Sequence, residues 1–315
     1  MPIPPSEYVS NVWKQGIFDG RVVFVTGGAG TICSAQTRAL VHLGANACII
    51  GRNQEKTEAA AKDIATARSG AKIIGIGGCD VRNPDHLVKA AERCVKELGA
   101  IDFVIAGAAG NFVAPISGLT SNGFKTVMDI DVLGTYNTVK ATMPYLIESA
   151  ARNKTYPNGL TGGRIIYVSA TFHYSGMPLQ AHVMAAKASV DSIMASVALE
   201  YSPYGITSNV IAPGAIGGTE GMERLSSKQA NPKLLASAIP IGRLGTIRDI
   251  ADATVYLFSD AGNYVTGEVL VVDGGGWRNN TLSVGLDEGM KYPDFLLTGQ
   301  FSKHVKSGRK AGSKL

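Results

Sequence analysis

The sequence predicts a single doubly wound α/β domain on a seven-stranded parallel sheet. Three observations predict it. Short, almost wholly apolar runs recur along the 315-residue chain, as strands buried on both faces require. Segments with apolar residues at helical spacing separate them. The first apolar run ends in a glycine cluster, where such folds turn from strand to helix around an anion.

The elements follow in order. Val22-Val23-Phe24-Val25 reads as the first strand and ends at Thr26-Gly27-Gly28-Ala29-Gly30. Residues 33–43 carry Ala35, Ala39, Leu40 and Leu43 at roughly helical spacing. Residues 47–50 form the second strand and the Ala-rich segment 54–67 a second helix. Residues 73–77 and 103–106 are strands three and four, with a helix over 84–98 between them. A long helix lies within 122–150, with a break expected near Pro144, because proline removes a donor and clashes with the preceding turn. Residues 153–163 read as a surface loop. The fifth strand spans 164–168, a further long helix 183–201, and strands six and seven 207–211 and 269–272.

No internal repeat or domain-scale linker interrupts this alternation, so residues 1–315 are expected to form one domain of the Rossmann type. Its dinucleotide-binding and catalytic core is expected over 20–276. The alternation stops at Trp277, which makes 277–315 a C-terminal extension.

Hydrophobic residues make up 45% and charged residues 17%, as in an ordinary globular protein with a sizeable core. The net charge of +5 is mild and scattered; it suits an anionic small ligand and does not by itself point to nucleic acid. No apolar run approaches the roughly 18 residues that cross a bilayer. Met1-Pro2-Ile3-Pro4-Pro5 lacks the basic and apolar regions of a secretory signal. Cys33, Cys48, Cys79 and Cys94 show no CxxC spacing, which points to reduced thiols and no metal site. The chain ends in Ser313-Lys314-Leu315, a receptor-read peroxisomal address. Its basic, Gly/Ser-rich approach from Lys303 keeps it accessible. The expected location is the peroxisomal matrix, with the import receptor as a partner.

Glycines at 27, 28 and 30 let backbone approach a pyrophosphate at a helix N-terminus. The second strand runs into Gly51-Arg52. An NAD-preferring enzyme places an acid here for the ribose hydroxyls, whereas Arg52 offers a fork for a 2′-phosphate and so favours NADP(H).

Thr26-Gly27-Gly28-Ala29-Gly30-Thr31-Ile32-Cys33, then Lys187, then Asn209-Val210-Ile211-Ala212-Pro213-Gly214, in that order, resemble the short-chain dehydrogenase/reductase family over roughly residues 20 to 276. The resemblance implies cofactor contacts from Thr26, Gly27, Gly28, Gly30, Thr31 and Ile32, from Asp80 and Val81 at the adenine, and from Ala108 in the small-residue segment Ala106-Gly107-Ala108-Ala109-Gly110-Asn111. It also implies contacts from Lys187 at the nicotinamide ribose and from Pro213, Gly214 and Ile216 at the carboxamide. Thr31 and Cys33 stand where the family carries glycines, which leaves the close packing of the first helix open.

The family's catalytic Tyr, four residues before the Lys, is here Val183; its Ser is Ala170 and its Asn is Asp131. With Ala108-Ala109-Gly110-Asn111-Phe112, Phe124-Lys125-Thr126-Val127-Met128-Asp129-Ile130-Asp131, Ser169-Ala170-Thr171-Phe172-His173-Tyr174 and Gly217-Gly218-Thr219-Glu220-Gly221, this pattern is similar to the family's 2,4-dienoyl-CoA reductase branch. The resemblance implies hydride delivery to Cδ of a 2,4-dienoyl-CoA and a 3-enoyl-CoA product, with Asp131 and Lys187 as the catalytic pair holding a water. His173, His182 and Tyr174 remain alternative proton donors. Arg52, Arg82 and Arg224 are candidates for the CoA phosphates, Phe112, Thr120, Ser121 and Asn122 for the entrance, and 217–228 for a lid. A homodimer or homotetramer through the two long helices is implied as well. Two other functions stay open. A peroxisomal trans-2-enoyl-CoA reductase would be expected to keep the Tyr, and a redox-inactive NADP(H)-binding sensor would have no need of Asp131 and Lys187.

Overall fold

The computed structural model describes residues 3–153, 162–225 and 232–279. Seven strands, β1 (Val22–Thr26), β2 (Asn46–Ile50), β3 (Ile73–Ile76), β4 (Phe103–Ala106), β5 (Arg164–Val168), β6 (Thr207–Pro213) and β7 (Val269–Val272), form one sheet. All neighbours pair in parallel, in the order β3-β2-β1-β4-β5-β6-β7. The order reverses between β1 and β4, and ligands bind such sheets in the crevice beyond the strand ends at that point.

Among the described residues ten α-helices connect the strands: α1 (Thr31–His42), α2 (Gln54–Ala65), α3 (Pro84–Leu98), α4 (Ser121–Val127), α5 (Gly134–Arg152), α6 (Phe172–Ser175), α7 (Ala181–Tyr201), α8 (Glu220–Leu225), α9 (Pro232–Ser237) and α10 (Ile247–Phe258). Strand side chains alternate between two cores. Val23, Val25, Ile49, Ile105 and Ile211 pack with α1, α2 and α10. Val22, Phe24, Cys48, Val104, Tyr167 and Val210 pack with α3, α5 and α7. Each fully buried Val, Ile or Phe contributes about 1.5–3 kcal/mol, so the two cores hold the sheet between its helices.

Local chemistry sets the helix ends. Asn53 caps α2 by accepting from the Lys56 N–H, and Asn83 caps α3 by accepting from Asp85, with Pro84 in the first turn. Gly99, at φ 92°, ends α3 in the left-handed conformation.

Several boundaries differ from expectation. β3 stops at Ile76 and β6 runs on to Pro213, while α1 begins at Thr31 and α7 at Ala181. The long helix does not break at Pro144, which lies inside α5 and removes a single helix hydrogen bond. The irregularity falls earlier, where a π-helical stretch, Met128–Leu133, joins α4 to α5 around Asp131. Helix α10 was not anticipated. A capping box, Thr246 with Asp249, starts it, and Ile250, Ala251, Thr254, Val255 and Phe258 face inward at helical spacing. The packed core also begins before residue 20. Tyr8, Val9 and Phe18 are buried, and Asp252 Oδ1 accepts from Ser10 N and Trp13 Nε1, each at 2.9 Å.

Beneath the sheet, buried Asp102 accepts from Val22 N and Ser149 Oγ, and Arg164 donates to the carbonyls of Leu257 and Ser259. Among the described residues no helix is long and apolar enough to cross a membrane. The expected extension from residue 280 onward, with Ser313-Lys314-Leu315, lies outside the described residues, as do most of the 153–163 loop and residues 226–228 of the expected lid.

Candidate active site

At the sheet's switch point the first turn brings backbone close to where a ligand would lie. Gly27 takes φ 68°, and a Cβ there would stand 3.0 Å from Ala108 Cα. A Cβ on Gly28 would stand 2.5 Å from Ile49 Cβ. Gly30 is the N-cap of α1, no side chain caps that helix, and Thr31 and Ile32 open it. Its first N–H groups are therefore left to bind an anion, and this cradle fits a dinucleotide pyrophosphate.

Cys33 packs closely in the first turn of α1. Its Sγ lies over Gly107, 3.8 Å from the Gly107 carbonyl oxygen, and a Cβ on Gly107 would collide with it. The bulk lost at 107 is replaced from 33. Burial pushes the Cys33 thiol up to about 12, opposed only in part by the Lys187 charge, so it is an inert filler. Thr26 Oγ1 accepts from the Gly107 and Ala108 amides at 3.1 and 3.2 Å, tying the ends of β1 and β4 together.

Arg52 stands exposed in the turn after β2. Asp80, beyond β3, accepts from Arg82 Nε at 3.0 and 3.1 Å. These hydrogen bonds from Arg82 hold the Asp80 carboxyl below the ordinary value against the opposing effect of burial, and the Arg52 charge adds to them. Two arginines flanking one carboxylate leave a net positive corner at the cleft. Arg82, read from sequence as a phosphate contact, is thus already held by Asp80. Val81 packs against Gly134, and its carbonyl accepts from Asn137 at 3.0 Å.

On the other side, Gly214 permits contact with Asp273; a Cβ there would lie 2.5 Å from the Asp273 Cβ. Ile216 is buried and bridges to Gly245, which fixes the path from Pro213 toward α8. Lys56 of α2 and Glu220 of α8 form an exposed ion pair at 3.5 Å. The side chain of Arg224 lies outside the described residues.

The catalytic candidates meet. Lys187 Nζ lies 3.1 Å from Asp131 Oδ2 and donates to the Val168 carbonyl at 3.0 Å. Asp131 Oδ1 accepts from the Gly110 amide at 2.7 Å. Asp131 is 1% exposed and Lys187 7%. Asp131 Oδ2 is buried with no hydrogen-bond partner among the described residues and faces only the ammonium. The π-helical stretch turns Asp131 toward the loop after β4, and α7 turns Lys187 toward the end of β5.

Val183, at the family's tyrosine position, is 1% exposed and belongs to an apolar cluster with Val127 and Ala186, backed by Met128, Val132 and Phe172. No acid can work from that position. Ala170, at the serine position, is also buried.

The other proton-donor candidates have structural partners. His182 Nε2 and Gln180 Nε2 contact the Phe112 carbonyl at 3.0 and 3.1 Å, and the His182 ring lies 4.3 Å from the Phe112 ring. Ala114 N donates to the Leu179 carbonyl at 3.1 Å. The loops after β4 and β5 are thereby joined, with Phe112 at the seam. Thr120 Oγ1 caps α4 through Gly123 N at 3.0 Å, and a Cβ on Gly123 would lie 3.3 Å from the Phe112 ring. Phe112, Thr120, Ser121 and Asn122 therefore share one rim.

His173 and Tyr174 converge on a residue that sequence reasoning missed, Asp191. Its Oδ2 lies 2.8 Å from His173 Nε2 and accepts from the Tyr174 hydroxyl at 2.6 Å. Burial, and then the hydrogen bond to Asp191, push the Tyr174 hydroxyl far above its ordinary value, which makes it a poor acid. Asp191 falls one turn after Lys187 on α7, and that spacing was the available signal.

The family described as enoyl-(acyl carrier protein) reductase matches residues 27–276. The chain is 50% identical to the (3E)-enoyl-CoA-producing peroxisomal 2,4-dienoyl-CoA reductase of Saccharomyces cerevisiae, covering 92% of this chain and 94% of that protein. It is 38% identical to the protein of the same name from Mus musculus, covering 89% and 90%. Among solved structures, a short-chain dehydrogenase from Bacillus anthracis superposes with a TM-score of 0.71 at 33% identity, covering 83% of this chain and 98% of that one. Levodione reductase shares the fold, with a TM-score of 0.75 at 24% identity over 83% and 99% of the two chains. With a buried Asp131–Lys187 pair beside Val183 and Ala170 at the tyrosine and serine positions, and 50% identity to a relative over 92% of its length, the chain belongs to the short-chain dehydrogenase/reductase family, in its branch of peroxisomal 2,4-dienoyl-CoA reductases.

Proposed function

We propose that this chain is an NADPH-dependent 2,4-dienoyl-CoA reductase of the peroxisomal matrix that yields a (3E)-enoyl-CoA during oxidation of unsaturated fatty acids. The observation that carries this reading is the buried Asp131–Lys187 pair beside a site whose phenol position is filled by Val183.

When bound, NADPH supplies the hydride that reaches the substrate Cδ. The electron pair of the diene moves along the conjugated chain to the thioester oxygen, so no alkoxide forms beside the hydride acceptor. This is why an acid at position 183 is dispensable. The protein must stabilise a distant oxyanion and later place a proton on Cα, which leaves the double bond between Cβ and Cγ.

Lys187 supplies the positive potential and a donor for the nicotinamide ribose. Asp131 holds the ammonium in place. Its buried Oδ2, ion-paired with the ammonium but without a hydrogen-bond partner among the described residues, fits a water that delivers the Cα proton. Thr26, Gly27, Gly28, Gly30, Thr31 and Ile32 hold the pyrophosphate side, with Asp80, Val81 and Ala108 at the adenine end and Pro213, Gly214 and Ile216 at the carboxamide. Arg52 takes the 2′-phosphate and, with Arg82 and Arg224, attracts the polyanionic CoA. Phe112, Thr120, Ser121 and Asn122 form the acyl entrance, and residues 217–228 act as its lid. Ser313-Lys314-Leu315 engages the import receptor. Exposed Leu133 and Tyr136 by α5 and Leu199 on α7 support self-association through the long helices.

The test follows NADPH oxidation with 2,4-hexadienoyl-CoA, with a trans-2-enoyl-CoA and with NADH as the alternative reductant. Oxidation of NADPH by the dienoyl ester alone supports the reading. Reduction of the 2-enoyl ester in its place would overturn it, as would tight NADPH binding with no turnover on either ester.

A further inference from the structure

The loop between β5 and α7 runs from Val168, whose carbonyl anchors Lys187, to Gln180, which donates to the Phe112 carbonyl, yet little backbone pairing holds its middle. Ser169 N still bonds the Ile211 carbonyl at 2.9 Å, as an extension of the sheet. Beyond that, the segment as far as Gln180 holds the single turn α6 and, at its far end, Leu179, whose carbonyl accepts from Ala114 N and whose φ of 66° is a conformation that non-glycine residues rarely adopt. A loop of this kind keeps one shape only if side chains pin it.

Asp191 is the pin. Its Oδ2 receives both His173 Nε2 at 2.8 Å and the Tyr174 hydroxyl at 2.6 Å, and the two rings lie 3.9 Å apart. Tyr174 in turn packs at 5.5 Å on Trp277, whose ring carries the Arg278 guanidinium at 3.9 Å. One carboxylate on α7 thus joins the substrate-side turn to the segment that follows β7. The side chains of His173 and Asp191 are 6% and 15% exposed. Burial raises the Asp191 carboxyl, but the interactions with His173, Tyr174 and Ser169 outweigh it and hold the group below its ordinary value. Asp191 touches neither Lys187 nor Asp131 through any of these bonds.

We propose that Asp191 is a positioning residue. By holding His173 and Tyr174 it fixes the α6 turn as a preformed wall of the acyl-thioester pocket, and it sets substrate affinity without entering the chemistry. This rests on the dienoyl-CoA reductase reading. The catalytic pair has its own supports, the Val168 carbonyl in the sheet and the Gly110 amide, so loosening α6 should leave that pair in place.

The experiment compares wild type, Asp191→Asn and Tyr174→Phe in steady-state assays with 2,4-hexadienoyl-CoA. Hexanoyl-CoA, a non-reducible thioester, is also titrated into the NADP+-loaded protein by calorimetry. Loss of a charge-assisted hydrogen-bond centre predicts a KM and a hexanoyl-CoA Kd raised about tenfold in Asp191→Asn, with kcat within about twofold and NADPH affinity unchanged. Tyr174→Phe, which keeps the His173 contact, should move the same quantities less. A fall in kcat at unchanged KM would overturn the positioning role, as would two variants identical to wild type. If Asp191→Asn does not fold, Tyr174→Phe carries the test on the same criteria. A wild-type protein that binds hexanoyl-CoA but does not reduce the dienoyl ester would instead sink the reductase reading and leave the thioester-affinity comparison intact.

Discussion

Lys187 Nζ stands 3.1 Å from Asp131 Oδ2, and each partner has a second backbone anchor, the Val168 carbonyl for the ammonium and the Gly110 amide for the carboxylate. Both are nearly inaccessible to solvent. Removing one partner of such a pair leaves an uncompensated buried charge, so the pair works as a unit. Asp131 takes the position of the family's amide beside the retained lysine, while Val183 and Ala170 fill the phenol and hydroxyl positions, and this suits a reaction whose charge develops away from the carbon that receives hydride.

Restoring the family's tyrosine should not improve this enzyme. Val183 is enclosed by Val127, Met128, Val132 and Phe172. Val183→Tyr should cost about 1–3 kcal/mol by overpacking and should give no ketone-reductase activity. Urea unfolding and a β-ketoacyl-CoA assay check both halves.

Cys33 and Gly107 are complementary in volume. Gly107→Ala should lower stability and weaken NADPH binding, because the new methyl meets Cys33 Sγ. Cys33→Gly, deleterious alone through the void it leaves, should partly rescue it. A double-mutant cycle should give a coupling energy of about 0.5–3 kcal/mol, and strict additivity would refute the contact.

Arg52→Ala should raise the Kd for NADPH about tenfold or more and leave that for NADH nearly unchanged, since only the former carries the 2′-phosphate. Fluorescence titration with the two nucleotides reads the difference. An equal loss for both would assign Arg52 a role in the turn.

Asp249 caps α10 and receives Arg243 at 2.7 and 2.8 Å. The Arg243 hydrogen bonds hold its carboxyl down to about 2, against partial burial, with Thr246 adding further support. A depressed folded-state value gives stability that is present above the unfolded value of about 3.9 and is lost as pH falls toward 2. Asp249→Asn should therefore lose about 1 kcal/mol at neutral pH, with a difference from wild type that narrows below about pH 4. Chemical unfolding across that range measures it.

Most of the fold was legible because its signals are local. Apolar strands, the glycine turn at Thr26–Gly30 and helical spacing each declare themselves within a few residues, and all seven strands were placed within two residues at each end. The exceptions have physical reasons. Helix α10 carried its capping box at Thr246 and Asp249, but the irregular stretch before it hid the rhythm. The π-helical stretch at Asp131 has no pattern of its own in sequence, so the irregularity was assigned to Pro144. In the site, Asp131 and Lys187 could be read through motif order, and the structure brings them into contact. The Cys33–Gly107 contact spans 74 residues, and only the fold brings the two together. Asp191 lies 18 residues from His173, and its role depends on how the intervening loop turns back. His173 and His182 read first as structural histidines and Tyr174 as an open donor, and the partners that occupy all three are visible only in the fold.

The most direct test of the Asp131–Lys187 pair as the centre of the chemistry is single-turnover reduction of 2,4-hexadienoyl-CoA by Asp131→Asn, with NADPH pre-bound and its affinity measured separately. The chemical step should slow by about 100-fold or more while the NADPH Kd stays within about threefold, because Lys187 keeps its anchor on the Val168 carbonyl and the lost group holds the proton-delivering water. A variant that binds NADPH normally and reduces the ester at the wild-type rate would show that the proton comes from elsewhere.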